Sequence, residues 1–474
     1  MTPLEIIQGT DFKEIKKLFK RPVFKVEQQT AIDQYDVTEH DVYDATLRPK
    51  RKLKMDVVDE NGQVTSQTEV LVDVVRVGIP WQKIITERRI GFTLTTPVTT
   101  QAIYDKETDK EKSLVKMVER IQHDNKMDYK NKEILRRILS EMECAVIWYY
   151  VETGEPKPKY TLKHKILATG LGDSLYPLFD DNGDMISFAR GYKIKVEDKE
   201  IEHFDIYTPD LEYRWVSVGN DWQMDTLTNS DGTAKPNPIP NQARKLLIEY
   251  YSILQPVWSD VQSMISRHET LTSNHGGMND KFGAPLLAVT GDIIKSETDS
   301  GQGNVIQMEN GASADYVQLS SEPQSIKLEQ ENLEKFIYTM SQTPDISFGQ
   351  MLSIGAMSGF AMTLLLSDPH MAVRCVEEWF GIGLQRRLNI IKHAIGALID
   401  TSLANEAKVV QLKPVITPYM PKNVTELIEN LSVAKASGII STETSVEINP
   451  YVSDSEIELE RMKNDKTAEL AGTQ

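Results

Sequence analysis

The residue types that most often carry out chemistry are present in this chain, but none stands in the spacing of a known catalytic motif. The sequence holds no Gly-x-x-x-x-Gly-Lys-Ser/Thr phosphate loop, no Gly-x-Ser-x-Gly nucleophile turn and no His-Glu-x-x-His zinc helix. Gly301 and Gly303 lack the third glycine and the strand–helix context of a dinucleotide site. We therefore predict no catalytic residues, although an enzyme whose residues meet only in the fold stays open as an alternative.

Two groups of residues resemble metal ligands. The run Asp180–Asp184 is rich in oxygen ligands, but it lacks the spacing and the closing glutamate of an EF-hand, and Asn182-Gly183 favours a hairpin turn. His268 and His275 are seven residues apart, which is not a ligand spacing for one helical turn, so we expect them at surface or cap positions. We predict no metal site and no cofactor.

Composition and charge restrict the function further. The 474 residues are too many for one ordinary core and 40% are hydrophobic, so we expect more than one domain or an elongated architecture. The formal net charge of -17 argues against a basic coat that grips DNA, but it allows DNA to pass an acidic wall without adhering. Cys144 and Cys375 lie among apolar neighbours and are expected to be buried free thiols. The N-terminus shows no export-signal pattern.

The stretch 325–398 is the most informative. Apolar spacing predicts a helix over 325–340. No charged residue occurs over 346–367, and glycines punctuate this gap. Asp368 as N-cap and Pro369 at the first helical position then predict a long helix with an apolar stripe. The gap is too polar for a membrane span, which leaves a core crossing or a loop that faces something highly charged.

Local patterns predict the rest of the chain. Basic residues cluster at 13–25 and at 48–54, and each cluster is either a solvated face or a contact for nucleic acid or an acidic partner. The predicted elements are, in order, a hairpin around 59–62, a helix at 77–93, two charged helices within 111–143, strands over 145–251, a helix from 256 that ends at Gly276-Gly277, a small β unit of three strands at 284–321, a strand at 409–416, and helices opened by capping boxes at Asn423 and Ser453.

Two helices of similar length, one on each side of the small β unit, define the architecture. Such a hairpin of helices cannot bury all of its faces alone and therefore needs neighbours. Several copies side by side in a closed ring would supply them through a heterologous interface.

Four stretches of sequence, taken in order, resemble those of one protein family. They are Tyr35 to Asp41 before a basic run, Thr86 to Val98, Ser358-Gly359-Phe-Ala361-Met, and Gly438 to Thr444 with Asp454 and Glu458 to Met462. In this order and spacing, over roughly residues 35–462, the chain is similar to the portal proteins of tailed bacteriophages, and most of all to those of siphophages that infect Gram-positive bacteria. These proteins form the ring at one capsid vertex through which DNA enters and leaves.

The resemblance implies an α+β protomer that assembles into a ring, most often of twelve subunits. The implied parts are a wing at 1–255 and 358–421, stem helices at 256–275 and 323–343, a clip at 276–322, a tunnel loop at 344–357 and a crown at 422–474. Double-stranded DNA would pass through the channel. Terminase and a head-completion adaptor would dock at the clip, and scaffold and major capsid protein would meet the wing. The implied location is the virion, after assembly in the host bacterial cytoplasm and without a membrane.

The tunnel loop supplies the residues that the resemblance places against DNA. They are Ser347, Phe348, Gly349, Gln350, Met351, Leu352, Ser353, Ile354 and Gly355, and the loop-to-helix signature that follows is Ser358, Gly359 and Ala361. Duplex DNA carries one charge per about 1.7 Å of its axis. A neutral loop would touch it with few of the salt-dependent contacts that lysines make, and glycines would let the loop shift.

Two other interpretations stay open. The first is another ring or connector of a virion without the channel role, and the second is an enzyme of unknown class. An assembly of about ten or more subunits with a central hole favours the portal interpretation, and a monomer with turnover favours the enzyme.

Overall fold

The structure is a computed structural model. It describes residues 2–58, 64–155, 158–196, 199–219, 221–228, 233–282, 286–290, 293–299, 303–308, 313–317, 323–345, 359–420, 424–452 and 454–472. Helices and antiparallel strands both make up large parts of these ranges, and they lie in separate stretches of the chain. The predicted α+β class is confirmed.

Helices open the chain, form its centre and close it. They are α1 (Pro3–Ile7), α2 (Phe12–Leu18), α3 (Gln28–Tyr35), α4 (Trp81–Leu94), α5 (Asp109–Asp124), α6 (Met127–Glu141), α7 (Gln262–Phe282), α8 (Pro323–Met340), α9 (Gly359–Leu365), α10 (Ser367–Ala394), α11 (Glu406–Val409), α12 (Val424–Ala436), α13 (Thr442–Ile448) and α14 (Ser455–Gly472). The two charged helices predicted within 111–143 correspond to α5 and α6. A capping box between Thr108 and Glu111 starts α5.

The strands pair antiparallel throughout the part of the chain that is described. They are β1 (Arg51–Val58), β2 (Val64–Val72), β3 (Thr99–Ile103), β4 (Glu143–Glu152), β5 (Tyr160–Leu167), β6 (Asp173–Phe179), β7 (Met185–Val196), β8 (Lys199–Tyr207), β9 (Leu211–Val218), β10 (Asp221–Met224), β11 (Leu227–Thr228), β12 (Ala234–Lys235), β13 (Ile239–Pro240), β14 (Ile248–Ser252), β15 (Leu286–Thr290), β16 (Ile293–Asp299), β17 (Gly303–Met308), β18 (Ser313–Val317) and β19 (Gln411–Val415).

The main core lies between α10, the helices α4 to α6 and the sheet β14-β4-β5. The stripe that the sequence predicted on α10 faces this core. Its members on α10 are buried and follow helical spacing, and they are Val373, Val376, Phe380, Leu384, Leu388 and Ile391. The predicted stripe continues beyond the end of α10 with Ile395, which is buried, and Leu398, which is partly buried. Removing this much apolar surface from water is the dominant stabilisation of this part of the fold.

A second core joins the N-terminal helices to the sheet β10-β9-β8-β7-β6. Phe12 and Ile15 of α2 pack on Phe204 and Trp215 of that sheet. Because the apolar face of α2 points to the sheet, its lysines lie on the solvent face, and Lys16 lies over the ring of Trp222. This arrangement favours the solvated-face interpretation for the first basic cluster.

The second basic cluster lies on the antiparallel ribbon β1–β2. Lys52 pairs with Glu69 across the ribbon at 3.1 Å, and Lys50 pairs with Asp73 at 2.9 Å directly beyond its open end, so two charges of the cluster have partners. The turn predicted at 59–62 lies outside the described residues. The strands that flank it are paired in the register expected for a hairpin.

Several predicted boundaries were wrong. The helix predicted at 77–93 begins at Trp81, after Pro80. The helix predicted to end at Gly276-Gly277 continues to Phe282. A Cβ at Gly276 would stand 3.0 Å from Val75 Cγ1, so glycine at this position lets the segment that contains Val75 pack closely against α7. This tertiary contact outweighs the low helix propensity of glycine, and α7 continues without a break.

The start of α10 and the exposure of one cysteine also differ from prediction. Helix α9 precedes α10 almost without a break, so α10 begins at Ser367, and Asp368 lies within its first turn and is not the N-cap. Cys144 is buried as expected, but Cys375 is exposed, because it shares the outer face of α10 with Met371.

The small β unit contains four strands, one more than the sequence predicted. The additional strand is β16, whose mostly polar sequence does not alternate between apolar and polar residues. Strand β16 pairs with β17, and β15 pairs with β18. At the start of α14 the carboxylate of Asp454 accepts bonds from the N–H groups of Glu456 and Ile457, so Asp454 is the cap. The predicted cap, Ser453, lies outside the described residues.

Candidate functional site

Helices α7 and α8 lie side by side and run in opposite directions. Ile265 and Ile337 share a buried cluster near one end of the pair. Farther along, Arg267 pairs with Glu329 at 2.7 Å, and Gln330 donates to Thr272 Oγ1 at 3.2 Å. With 21 residues, α7 spans roughly 30 Å at 1.5 Å per residue. The pair therefore forms a long hairpin, and the β15–β18 segment connects its far ends.

An aromatic cluster anchors the near end of this hairpin. The indole N–H of Trp81 donates to His268 Nδ1 at 3.0 Å, and the Trp81 ring meets the Tyr338 ring edge-on with 5.0 Å between centroids. Burial lowers the pKa of His268, which keeps the imidazole neutral and able to accept. The prediction of a surface or cap position for His268 was wrong, because the indole partner makes its burial favourable.

A buried ion pair next to this cluster joins three segments. His40 Nδ1 lies 2.6 Å from Glu269 Oε1, which also accepts from the backbone N–H of Ile79 at 2.7 Å. His40 Nε2 lies 2.8 Å from the carbonyl oxygen of Gln34. Both ring nitrogens face acceptors, so the geometry requires the doubly protonated imidazolium. Burial alone would lower the pKa of His40, but the Glu269 carboxylate and the Gln34 carbonyl outweigh it and raise the pKa.

The outer side of α8 is apolar and exposed. Leu328, Phe336 and Met340 are 59%, 46% and 59% exposed, and they belong to one four-residue row whose remaining member is the exposed Asn332. Ile337, one turn before Met340, is fully buried against α7 and its neighbours, so the buried and exposed sides of α8 adjoin here. An exposed apolar stripe on a helix that packs on one side indicates a protein-interaction surface.

The last turn of α8 closes with a defined capping motif. The N–H of Thr343 donates to the carbonyl of Tyr338 at 3.0 Å, and the N–H of Gln342 donates to the carbonyl of Thr339 at 3.2 Å. This is the Schellman arrangement, in which the residue after the cap adopts a left-handed conformation. That residue is Gln342, with a φ of 51°, where glycine would be unstrained.

Two consecutive arginines of α4 bind the chain just beyond this cap. Arg89 Nη2 donates to the carbonyl oxygen of Ser341 at 2.8 Å, and Arg88 Nη1 donates to that of Pro344. The Arg88 guanidinium also lies 5.0 Å from the centre of the Tyr338 ring. Both charges stand at the negative end of the α8 dipole, where cations are favourable. Sequence reasoning missed these residues, although a double arginine among the buried isoleucines of α4 was a visible signal.

The residues predicted to face DNA, Ser347 to Gly355, lie outside the described residues, as does Ser358 of the loop-to-helix signature. Gly359 is the first residue of α9, and Ala361 lies on that helix and is partly buried. The structure therefore describes both approaches to the segment 346–358, through Asp345 on one side and α9 on the other.

An open cleft of about 400 Å³ lies between the end of α8 and α10. The residues that line it include the segment 252–257 together with Arg89, Met340, Cys375 and Trp379. In the ranges that the structure describes, no group of three or more His, Cys, Asp or Glu side chains is placed to hold a metal ion. Across the same ranges, no helix has the length and apolarity to cross a membrane.

The sequence of this chain matches one protein family along almost its whole length. Residues 26–470 match the family model described as phage portal protein, SPP1 Gp6-like. The chain belongs to this phage portal family. The predicted recognition is confirmed, and the match spans both hairpin helices and the arginine pair of α4. A search of curated proteins finds no match.

Solved structures of low sequence identity are also similar. One is described as the neck of a native GTA particle computed with C12 symmetry, with a TM-score of 0.42, 10% identity, and coverage of 77% of this portal chain and 89% of that chain. A second is the neck of an empty GTA particle computed with C6 symmetry, with a TM-score of 0.40, 11% identity, and coverage of 80% and 88%. A third is the virion of a native gene transfer agent particle, with a TM-score of 0.35, 11% identity, and coverage of 80% and 87%.

Proposed function

We propose that this portal-family chain assembles into a ring, most often of twelve subunits, around a channel for double-stranded DNA. The ring would occupy one capsid vertex of the virion and pass the genome during packaging and ejection. The family match over residues 26–470 supports this role for the chain as a whole.

The exposed stripe of α8 is the observation that carries the ring. Leu328, Phe336 and Met340 form an apolar surface that one protomer leaves in water. Burying such a surface against a second copy is favourable by about 25 cal/mol per Å². The ring requires that the stripe contacts a different surface of the next copy, because contact between two identical stripes would give a two-fold dimer. Such a heterologous contact produces a ring when the rotation from one copy to the next closes.

The division into parts remains a proposal. Helices α7 and α8 would form the stem, with α7 reaching Phe282 and so extending beyond the predicted boundary at 275. Strands β15 to β18 would form the clip, α12 to α14 the crown, and the remainder the wing around the main core. The segment 344–357 would form the tunnel loop.

The partners follow from the same role. Terminase and a head-completion adaptor would dock at the clip end, and scaffold and major capsid protein would meet the wing in the host cytoplasm. Inside the channel, the uncharged loop would let DNA slide, because contacts that release few counterions bind the duplex weakly.

Electron microscopy of the purified protein tests this proposal. We expect rings of about ten or more subunits with a central hole, and the Phe336→Asp variant should shift the protein to smaller species because a carboxylate would be buried at the contact. The thermal unfolding of the variant protomer should be nearly unchanged, since Phe336 is exposed. A wild-type protein that stays monomeric at high concentration would exclude the ring.

A further inference from the structure

Strand β7 has a glycine near its centre that the backbone of the strand does not require. Gly191 pairs with Ser174 of β6 and with Phe204 of β8, and neither pairing has a bulge at this position. Its φ lies outside the left-handed region, so other residues could adopt the same backbone conformation. Glycine inside a strand lowers stability, because it loses more chain entropy on folding and packs no side chain.

The neighbouring side chains do not require a glycine at this position either. A Cβ at Gly191 would stand 3.4 Å from Tyr176 Cε2, 3.6 Å from Ser174 Cβ and 3.8 Å from Phe204 Cδ2, which are ordinary contact distances. A glycine inside a strand commonly marks a bulge, a tight bend or a close approach to the backbone. The described part of the chain provides none of these at Gly191, which leaves the approach of a ligand.

The absence of a side chain at Gly191 leaves an open hollow of about 210 Å³ beside α2. The rings of Tyr176, Phe204 and Trp222 line this hollow, which we call the aromatic hollow. The centroids of Tyr176 and Phe204 are 5.3 Å apart, and those of Phe204 and Trp222 are 6.3 Å apart. Aromatic rings favour tilted and edge-on contacts at such distances, so the aromatic hollow suits one further ring.

Helix α2 makes its side of the aromatic hollow positive. Lys16 lines the hollow, and its ammonium lies 5.1 Å from the centre of the Trp222 ring. Lys13, one turn earlier, is exposed as well, and among the ion pairs of the described residues none involves either lysine. Elsewhere on the rim, Lys193 lies 3.4 Å from both Glu200 and Glu202, so its charge is already paired. A ligand with negative charge facing α2 is therefore favoured.

We propose that the aromatic hollow binds an acidic peptide segment of a partner protein. An aromatic side chain of that segment enters the hollow beside Gly191, and its carboxylates face Lys13 and Lys16. These lysines are solvated in the protomer, which leaves them free for the contact. Burial of the ring stabilises the complex, and the charges fix its orientation. The site is complete within one chain, so this inference does not rest on the ring or on the passage of DNA.

Peptide binding to the purified full-length protein tests the inference. The probe is a fluorophore-labelled peptide with one phenylalanine between pairs of glutamates, and fluorescence anisotropy measures its Kd. One control peptide replaces the phenylalanine by alanine, and another replaces the glutamates by lysines. We expect the acidic phenylalanine peptide to bind about tenfold more tightly than either control, and more weakly as the salt concentration rises. An oligothymidylate that binds more tightly than this peptide would overturn the assignment to an acidic peptide.

Substitutions at Gly191 fill the aromatic hollow in two steps. Because alanine fits at contact distance and valine suits a strand, both variants should unfold at the wild-type temperature or above it. The affinity for the acidic phenylalanine peptide should fall about threefold in Gly191→Ala and about tenfold in Gly191→Val. Gly91→Ala is the matched control, since a Cβ at Gly91 of α4 would have no neighbour within 4 Å. Unchanged affinity in Gly191→Val would overturn the inference. If Gly191→Val does not fold, unchanged affinity in Gly191→Ala would do the same.

A lysine variant tests where the negative charge lies. Lys16→Gln should weaken binding of the acidic phenylalanine peptide about three- to fivefold and reduce its salt dependence. Lys163→Gln, at an exposed lysine on β5, should leave the affinity unchanged. Equal losses in the two variants would show attraction by overall charge alone and would overturn the proposed orientation. Absence of rings in micrographs would refute the proposed function and leave these comparisons intact.

Discussion

Gly383 of α10 lies directly against the ring of Tyr251 on β14. A Cβ at Gly383 would stand 1.9 Å from the Cε1 atom of that ring, far inside van der Waals contact. The hydroxyl of Tyr251 in turn donates to Glu249 at 2.6 Å, in the middle of the main core. The absence of a side chain at Gly383 therefore lets the long helix approach the sheet closely enough to reach this buried polar group.

Gly383→Ala should lower the free energy of unfolding by about 1–3 kcal/mol, because the new methyl group must displace the packed ring of Tyr251. Gly381→Ala is the matched control on the same helix, since its Cβ would meet only Glu377 Cγ at 4.0 Å. That variant should be more stable than wild type by about 0.5–1 kcal/mol, the helix preference of alanine over glycine. Chemical denaturation of both variants measures the difference. Equal effects would show that the core adapts at Gly383.

Removing the cation of the buried pair Arg387–Glu249 should be costly. The two side chains are 1% and 0% exposed, and Arg387 Nε lies 3.0 Å from Glu249 Oε1. Arg387→Met leaves an uncompensated carboxylate in the core and should lower the free energy of unfolding by about 3–5 kcal/mol. Adding Glu249→Gln should restore part of this loss, and denaturation of the two single variants and the double variant gives the coupling energy.

The control for this cycle is a surface ion pair. Arg120 and Asp124 are 3.7 Å apart and mostly exposed, so Arg120→Met should change the stability by less than about 1 kcal/mol. A similar small effect for Arg387→Met would mean that water or a rearranged side chain satisfies Glu249.

Gln342 holds a backbone conformation that favours glycine. Its φ of 51° places it in the left-handed region, at the position after the α8 cap. Gln342→Gly should leave the protein about 1 kcal/mol more stable or unchanged, and Gln342→Val should destabilise it by at least that much. Gly438, which follows α12, provides the opposite substitution, from glycine to a residue with a side chain. Its φ is 67° and no atom lies within 4 Å of an added Cβ, so Gly438→Ala measures the cost of backbone strain alone. Thermal unfolding that ranks Gln342→Val above Gln342→Gly would contradict this account.

Much of the fold follows from sequence periodicity, and the differences have a common physical origin. The buried stripe of α10 was predictable because a 3.6-residue period needs no knowledge of its partner. The continuation of α7 through Gly276 was not, because it depends on Val75 approaching from a distant segment. The burial of His268 depends likewise on an indole that comes from elsewhere in the chain. The arginine pair of the candidate site was missed because its partners are backbone carbonyls, which no side-chain motif reveals.

The His40–Glu269 pair should make stability depend on pH above about pH 6.5. The folded pKa of His40 is raised, so its contribution is fully present below the unfolded pKa of about 6.5 and is lost as the pH rises through the folded value. The free energy of unfolding should fall between about pH 6.5 and the folded pKa, and His40→Gln should flatten that fall. Denaturation at several pH values measures the slope.

The pKa of His164 is shifted in the opposite direction to that of His40, so His164 should have the opposite effect on how stability depends on pH. Burial lowers its pKa, with a smaller effect from Arg387, so the folded protein favours the neutral ring. Its contribution is present above about pH 6.5 and is lost as the pH falls through its folded pKa. His164→Gln should therefore remove part of the stability loss below about pH 6.5 and leave the fall in stability above about pH 6.5 unchanged. A fall in stability above about pH 6.5 that survives in His40→Gln would assign that fall to another group.

Adding charge to the proposed tunnel loop tests how DNA passes it. In a Gln350→Lys and Ser353→Lys double variant of a ring of about twelve subunits, roughly two dozen cations would face the duplex, and each phosphate contact releases a counterion and strengthens binding. Packaging should slow or stall, and the effect should weaken as the salt concentration rises. Gln350→Asn with Ser353→Thr is the control that keeps the loop neutral. Packaging by the lysine variant at the wild-type rate in low salt would remove the argument that neutrality of the loop is what lets DNA move.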